Sequence, residues 1–429
     1  MKNLFKNFVV SVLTFESKVL LKRHKPTIIA VTGSVGKTSM KDAIYSILKH
    51  HHSARKSEKS FNSDIGVSLT VLGLPNAWNN PFLWIKNLLD GLFIAFFSRE
   101  YPDYLILETG VDRPGDMSKL ASWLSPSILV LTRFPDIPVH VEYFATPEAV
   151  IKEKMQLANA LTPDGVIVYN HDDERIKAEL TEVRQQAIGY GRYLPTQFNA
   201  AADEVIYNDD VPVGVGFTVG YINESVPVRV NGAIGVPLVY TYTGAMAVAV
   251  QCGISLYDAA AALATHQPPS GRMRIIKGLK GSIILDDTYN ASPIATEQAL
   301  ATLKEVKHAK RKIAVLGDML ELGKFSAGEH ERIGSVVAGV ADALFTVGVR
   351  SRKTAEGALE FGLDEEFIFQ YEEGTKAGKE LQAYLQPGDV VLIKGSQGMR
   401  MEKVVEEVMA NPEEASYTLV RQDTAWQYR

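Results

Sequence analysis

The stretch IIAVTGSVGKTSMKDAI, residues Ile28 to Ile44, decides how the rest of the chain is read. An apolar run turns through Gly33 and Gly36 into Lys37-Thr38 and a helical pattern. Strand, glycine turn and helix, in that order, are what a phosphate-binding loop requires. Backbone N–H groups converge at a helix N-terminus whose dipole adds partial positive charge, Lys37 supplies a full charge, and the Thr38 hydroxyl can ligate Mg²⁺. Glycine at 33 and 36 lets the backbone curl close to the oxygens. Gly33, Ser34, Val35, Gly36, Lys37, Thr38 and Ser39 are thus the expected nucleotide-phosphate contacts. The loop departs from the usual pattern at one place, where Val31 stands instead of the first glycine.

Further short apolar runs end in polar residues: YLILETG (Tyr104–Gly110), SILVLTR (Ser127–Arg133) and GVIVYN (Gly165–Asn170). Such runs, separated by helical segments, predict an α/β fold with a mostly parallel sheet and helices on both faces. Ligands gather at the carboxyl ends of strands in this architecture, where those polar residues sit. Residues Ala201 to Val236 alternate locally and are rich in Val, Gly and Asp, which predicts an antiparallel excursion. Ala245 to His266 reads as two helices broken at Gly253. A second alternation starts near Ile283, with strands SIILDD, KIAVLGD, ALFTVG and DVVLIKG, and predicts a C-terminal Rossmann-like α/β domain. The hinge is expected in PPSGRMR, Pro268 to Arg274. The expected organisation is an amphipathic helix over 1–26, a central nucleotide-binding domain over 27–271 and a C-terminal domain over 272–429.

Composition sets the outer limits. The 429 residues are 46% hydrophobic and 22% charged, a folded profile of more than one domain. The net charge of -5 gives no global field for nucleic acid. The single cysteine, Cys252, excludes an intramolecular disulfide and suits a small buried residue in a reducing compartment. No apolar run is long enough to span a bilayer. The first 25 residues carry six Lys/Arg against one Glu. Leu4, Phe5, Phe8, Val12, Phe15, Val19 and Leu20 fall near helical spacing, and Glu16 interrupts any signal-peptide core. A second apolar segment, Pro81 to Tyr101, places Trp84, Leu88, Leu92 and Phe96 near helical spacing. Either these two segments pack on each other, or residues 1–25 and 81–101 form a peripheral membrane or partner patch.

The shortened loop TGSVGKTS resembles the ATP loop of the Mur ligases, the amide-forming enzymes of peptidoglycan precursor synthesis. KSFNSDIGVSLTVL (59–72), LETGVDRPGDM (107–117), HVEYFATPEAVIKEKMQLA (140–158), DDTYNASP (286–293), VLGDMLELG (315–323) and LIKGSQGMRME (392–402) are similar to blocks of that family. They are most like its MurF branch, whose members add D-alanyl-D-alanine. The resemblance implies a Mur-ligase-like central P-loop ATPase domain and an ATP- and Mg²⁺-dependent acid–amino-acid ligase working through an acyl phosphate. Its partners would be a muropeptide-type acceptor and an amino acid or dipeptide, in the cytoplasm, with membrane association at the inner face if the apolar patch is real. Other acceptors of the fold class are a polyglutamate or cyanophycin-like polymer. A non-catalytic ATP-binding partner is the alternative outside enzymes.

Residue by residue, the resemblance implies that Thr38, Glu108, His140 and Lys154 hold two Mg²⁺ ions. Lys154 would be carbamylated by CO₂ and so become an anionic ligand; it is preferred over Lys152 by register. The acid that follows in the family is Gln156 here. Arg272 is expected to reach the ATP γ-phosphate when the domains close, and with Lys37, His140 and Lys154 it makes up the catalytic set. Asp287 would contact the ribose, with Tyr289 and Asn290 completing the nucleotide turn. Asn62, Ser63, Asp318, Glu321, His330, Lys394 and Ser396 are expected to shape the acceptor and amine site, although the Arg usual after that Ser is Gln397 here. Two departures limit the carry-over. The family's GxHNxxNA block is replaced by GVPLVYTYTGA, which leaves Tyr240 or Tyr242 either as a purine platform or as core. The usual domain gripping a UDP-linked sugar ahead of the loop is not expected in the segment before Thr27.

Overall fold

The computed structural model describes residues 2–58, 61–78, 80–181, 183–423 and 426. The Leu4 side chain, and Lys59 and Ser60 at the head of the KSFNSD block, lie outside the described residues. Two sheets organise the chain. The first has nine strands: β1 (Thr27–Thr32), β2 (Ala54–Lys56), β3 (Tyr104–Glu108), β4 (Ile128–Leu131), β5 (Val166–Asn170), β6 (Gln186–Gly191), β7 (Phe198–Asn208), β8 (Val211–Tyr221) and β9 (Glu224–Asn231). Their spatial order is β2-β3-β1-β4-β5-β6-β7-β8-β9. Pairing is parallel as far as β7 and antiparallel from β7 to β9. The second sheet contains β10 (Arg274–Lys277), β11 (Ile283–Asp287), β12 (Arg311–Gly317), β13 (Ala343–Val347), β14 (Ile368–Tyr371) and β15 (Asp389–Lys394). Its order is β10-β11-β15-β12-β13-β14, parallel except for β10 against β11.

The central strands β1, β3, β4, β12, β13 and β15 are buried almost throughout, as expected for parallel strands covered on both faces. Strands β2, β10 and β14 sit at sheet edges. They are three or four residues long, too short to show a period in the sequence. The GVPLVYTYTGA block is the first part of one helix, Val236–Gln251, entered through Pro237. Cys252 ends that helix half-buried beside Tyr104. Burial pushes its thiol up to about 12, which leaves it a packing residue.

Four N-terminal helices flank the first sheet: α1 (Lys2–His24), α2 (Lys37–Leu48), α3 (Asp64–Leu72) and α4 (Pro81–Phe97). Helix α1 buries Val9, Leu13 and Leu20 in the same apolar cluster as α3 and the outer face of β1 and β3. The two apolar N-terminal segments do pack on each other, because α1 lies against α4. The buried stripe on α4 is Asn87, Gly91 and Ala95, spaced four apart. A Cβ on Gly91 would lie 2.1 Å from Glu16 Oε2, so glycine makes room for that carboxyl.

Glu16 is fully covered, and neither of its carboxyl oxygens has a hydrogen-bond partner. It lies in the thin α1–α4 layer rather than deep in a core, and burial pushes its pKa up to about 7. A carboxyl whose folded pKa lies above its unfolded value costs stability once ionised. The cost is absent below about 4.5 and complete above about 7. The Glu16→Gln variant, a neutral isostere, should therefore melt at a higher temperature than the parent at pH 8. The difference should shrink as the pH falls from 7 toward 5, read by thermal denaturation; a constant difference would contradict the assignment.

Candidate active site

Parallel registry brings the first elements of the site together. Val31 on β1 pairs with Glu108 on β3, so the carboxylate at the end of β3 stands beside the turn that leaves β1. That turn needs glycine at two places. Gly33 has φ 139°, and a Cβ there would fall 2.0 Å from Thr132 Oγ1; Gly36 has φ 87° and precedes α2 directly. The Lys37 ammonium donates to the Gly33 carbonyl at 3.0 Å and closes over the loop. The Thr38 hydroxyl, one residue into α2, donates to Glu108 Oε1 at 3.2 Å.

Glu108 is 2% exposed, and its Oε2 accepts no hydrogen bond. The Lys41 ammonium lies 3.7 Å from that oxygen and donates to the Ser57 carbonyl at 2.9 Å. Hard Mg²⁺ takes one or two carboxylates together with phosphate oxygens and water. A buried carboxylate with an unfilled lone pair beside a hydroxyl fits that demand. Among the described residues, no group of three or more His, Cys, Asp or Glu is placed to enclose an ion by itself. An ion here would depend on nucleotide oxygens as well as protein.

Lys154 lies on the Pro147–Met155 helix; it is buried, whereas Lys152 is exposed. Its ammonium donates to the Gly33 carbonyl at 3.1 Å and to Ser34 Oγ at 3.0 Å, behind the loop rather than on the cleft wall. Among the described residues no carboxylate forms an ion pair with it. Burial, and then the Lys37 charge, hold the amine well below the usual lysine range. His140 has a left-handed backbone, φ 69°. Its Nδ1 approaches Glu321 Oε2 to 2.9 Å, a close ion-pair contact poorly aligned for a hydrogen bond, and its Nε2 is 3.7 Å from Asp112. The His140 contact lowers the Glu321 carboxyl.

The second sheet supplies the opposite wall. Gly271 has φ 68°, and a Cβ there would lie 2.9 Å from the Tyr289 nitrogen. The Asp286 carboxylate receives the Gly271 N–H at 3.1 Å, and the Asp287 carboxylate receives that of Met273 at 3.3 Å. Arg272 between them projects its guanidinium over the Tyr289 ring, 4.1 Å from the centroid, and donates to Thr38 Oγ1 at 3.3 Å. The two halves of the chain therefore meet at the Thr38 hydroxyl.

Between the walls is a cavity of 1010 Å³. Ser34 to Thr38, Asn62, Ser63, Glu108, His140, Arg272, Tyr289, Asn290, Glu321 and Ser396 all line it. Gly33, Ser39, Lys154 and Asp287 stand behind those residues. Several expected substrate contacts are not met by the geometry. Asp318 is buried and accepts the Ser351 N–H at 2.7 Å. His330 is buried, with Nε2 accepting from the Met319 N–H at 2.9 Å and Nδ1 donating to the Ser326 carbonyl at 2.7 Å. Lys394 is buried against Asp287 at 2.5 Å and donates to the Asn290 carbonyl at 2.9 Å. Buried polar groups need partners: Asp318 finds its partner at Ser351, His330 at Met319 and Ser326, and Lys394 at Asp287 and Asn290. They are supports for the cleft rather than its surface.

Purine stacking on Tyr240 or Tyr242 is not offered either. Tyr242 is core, stacked on Phe217 and edge-on to His266. Tyr240 is tied to Asp172 at 2.8 Å, away from the cavity. The cleft also contains residues that motif reading passed over: Lys41, Asp112, Trp78, Trp84 and Arg421. Only Lys41 carried a signal, since it follows Lys37 by one helical turn and shares its face. Arg421 donates to the Thr288 and Tyr289 carbonyls and pairs with Glu402 at 2.8 Å, fixing the turn that carries Tyr289.

Comparison with known proteins agrees with this geometry. Residues 31–248 match the Mur ligase middle domain, and residues 271–397 match the Mur ligase glutamate ligase domain. The chain is 27% identical over 397 residues to the UDP-N-acetylmuramoyl-tripeptide–D-alanyl-D-alanine ligase of Bacillus subtilis, covering 92% of this chain and 79% of that one. It is 30% identical to the enzyme of the same name from Mycobacterium leprae, over 86% of this chain and 71% of that one. In fold it is similar to Thermotoga maritima MurF, crystallised with ADP, at a TM-score of 0.74 and 23% identity, covering 95% of this chain and 84% of that one. These two family matches and a 30% identical relative covering most of the chain show the family: the chain belongs to the Mur ligase family.

Proposed function

We propose that this chain is an ATP-dependent carboxylate–amine ligase that joins D-alanyl-D-alanine, or a similar amine, to the peptide carboxylate of a muropeptide precursor. The observation that carries the reading is the meeting of Lys37, Thr38 and Glu108 from one wall with Arg272 from the other, at a cleft large enough for a nucleotide and a peptide together. A carboxylate oxygen is a poor leaving group. The reaction therefore begins with transfer of the ATP γ-phosphoryl to that oxygen, which releases ADP and leaves an acyl phosphate. The amine nitrogen then attacks the acyl carbon, the C–O bond to phosphate breaks, and the nitrogen gives up a proton as the amide forms.

In this scheme the loop N–H groups and Lys37 hold the β- and γ-phosphates, while Arg272 meets the charge that moves during transfer. Thr38 and Glu108 would hold Mg²⁺, which supplies neutralisation of the phosphate oxygens. His140 and a carbamylated Lys154 are the proposed holders of a second ion. A buried amine with a depressed pKa and no carboxylate partner among the described residues supports that reading, because the neutral amine is the form that adds to CO₂, with loss of a proton. Asn62, Ser63, Glu321 and Ser396 are the proposed contacts for acceptor and amine. Residues 27–271 and 272–429 are the proposed working domains, with Arg272 at their junction so that closure excludes water. Residues 1–25 and 81–101 form a further contact surface of the enzyme.

ADP release should require both a muropeptide acceptor and D-alanyl-D-alanine, with the amide product seen by mass spectrometry. The Lys37→Ala variant should lose about 100-fold or more while keeping its fold. Turnover supported by glutamate and a polyglutamate acceptor, or independent of any amine, would overturn the assignment. Purging CO₂ from the buffers should lower turnover, and bicarbonate should restore it. ¹³C-bicarbonate should give a carbamate signal that Lys154→Ala lacks; activity indifferent to CO₂, with no such signal, would rule out the modified lysine.

A further inference from the structure

Helix α4 is built inside out. Its buried stripe is Asn87, Gly91 and Ala95, small or polar residues, with Gly91 and Ala95 against α1 and Asn87 donating to the Pro75 carbonyl. On the opposite side Phe82, Ile85, Leu89, Phe93 and Phe96 follow one another at intervals of three and four and are exposed by half or more, Phe82 by 81%. Helix α1 continues the surface with Phe5, Phe8 and Phe15, each about half exposed. Small residues between helices and large apolar ones outside are the arrangement used where the surroundings are lipid. Exposed apolar surface of this extent on ordered helices marks an interaction site.

The charges say what covers it. Among the described side chains of α1 every exposed charge is positive: Lys6, Lys18, Lys22 and Arg23. The one acid of that helix, Glu16, is buried against Gly91. On the helical wheel Lys18 and Lys22 border the Phe8–Phe15 stripe. No helix of the described residues is long and apolar enough to cross a membrane. We propose that the α1–α4 face is a docking surface for an anionic lipid bilayer, with the two helices lying in the interface, the aromatic stripe among the acyl chains and the lysines among the headgroups. A second copy of the chain fits the same face less well, because a symmetric contact would press its cationic borders together.

The same helix connects this surface to the cleft. Trp84 of α4 lines the 1010 Å³ cavity, and its indole N–H holds the Trp78 carbonyl at 2.9 Å across the turn that enters the helix. A docked bilayer therefore lies beside the mouth of the cleft, which suits an acceptor met at the membrane surface. This last point rests on the ligase reading; the docking itself does not.

Sedimentation of the full chain with vesicles tests it. Vesicles of phosphatidylcholine with roughly one-third phosphatidylglycerol should bind about 10-fold or more tightly than phosphatidylcholine alone, and added salt should weaken the binding. Leu89→Glu/Phe93→Glu should abolish binding, and Lys18→Glu/Lys22→Glu should weaken it on anionic vesicles specifically. ATP turnover without vesicles, measured in parallel, should be unchanged in both, which separates loss of docking from loss of fold or of ligase activity. Failure of the parent to bind anionic vesicles, or equal binding by Leu89→Glu/Phe93→Glu, would overturn the proposal. So would a dimer in analytical ultracentrifugation that the same variant dissociates, without vesicle binding, since the face would then belong to a second copy.

Discussion

The pairing of β1 with β3 in register, Val31 against Glu108, is the constraint from which the rest of the site follows. It sets a carboxylate at the rim of a glycine turn whose geometry no other residue could adopt at position 33, because the space a Cβ would need is held by Thr132. Electrostatics alone would not bring a glutamate so close to an anion-binding loop. The parallel sheet imposes that proximity, and the Thr38 hydroxyl and the Lys41 ammonium partly offset it. A divalent cation is the natural complement to such a place, drawing on Glu108 and on nucleotide oxygens at once.

The second constraint is the turn that begins the second sheet. Asp286 and Asp287 receive the backbone N–H groups of Gly271 and Met273, so the arginine between them leaves the turn in one direction only. Tyr289 supports one face of its guanidinium, and Arg421 clamps the Tyr289 turn from behind. The second sheet thus sends a rigidly mounted cation into the first. A gap between the two halves would separate Arg272 from Thr38.

Much of this was legible before any coordinates. The long apolar runs that became β1, β3, β4, β5, β11, β12, β13 and β15 announce themselves because a strand buried on both faces is continuously apolar. Gly33, Gly36, Lys37 and Thr38 are legible as a phosphate-loop pattern because the chemistry of phosphate allows few substitutes. Glu108, Arg272, Tyr289 and Asn290 are singled out only by family resemblance. Edge strands β2 and β14 were not legible, since three or four half-exposed residues carry no period. Asp318, His330 and Lys394 stand one layer behind the cleft wall: a motif records that a residue matters, not whether it faces the cleft or holds the loop that does. Tyr242, open in the sequence between purine platform and core, is core because its helix turns it inward. Trp78 and Trp84 were invisible as cleft residues because their position depends on how α4 leans on α1, a packing that no local pattern encodes.

The central claim is that the Thr38–Glu108 pair, with Arg272 above it, is where the terminal phosphate of ATP is held by a metal. The most direct measurement is a crystal structure with a non-hydrolysable ATP analogue and Mn²⁺, with the ion located by anomalous scattering. The expected result is an ion held by Thr38 and Glu108 together with the nucleotide phosphates, with Arg272 on the terminal one. A nucleotide bound away from residues 33–38, or bound there with no ion between Thr38 and Glu108, would contradict it.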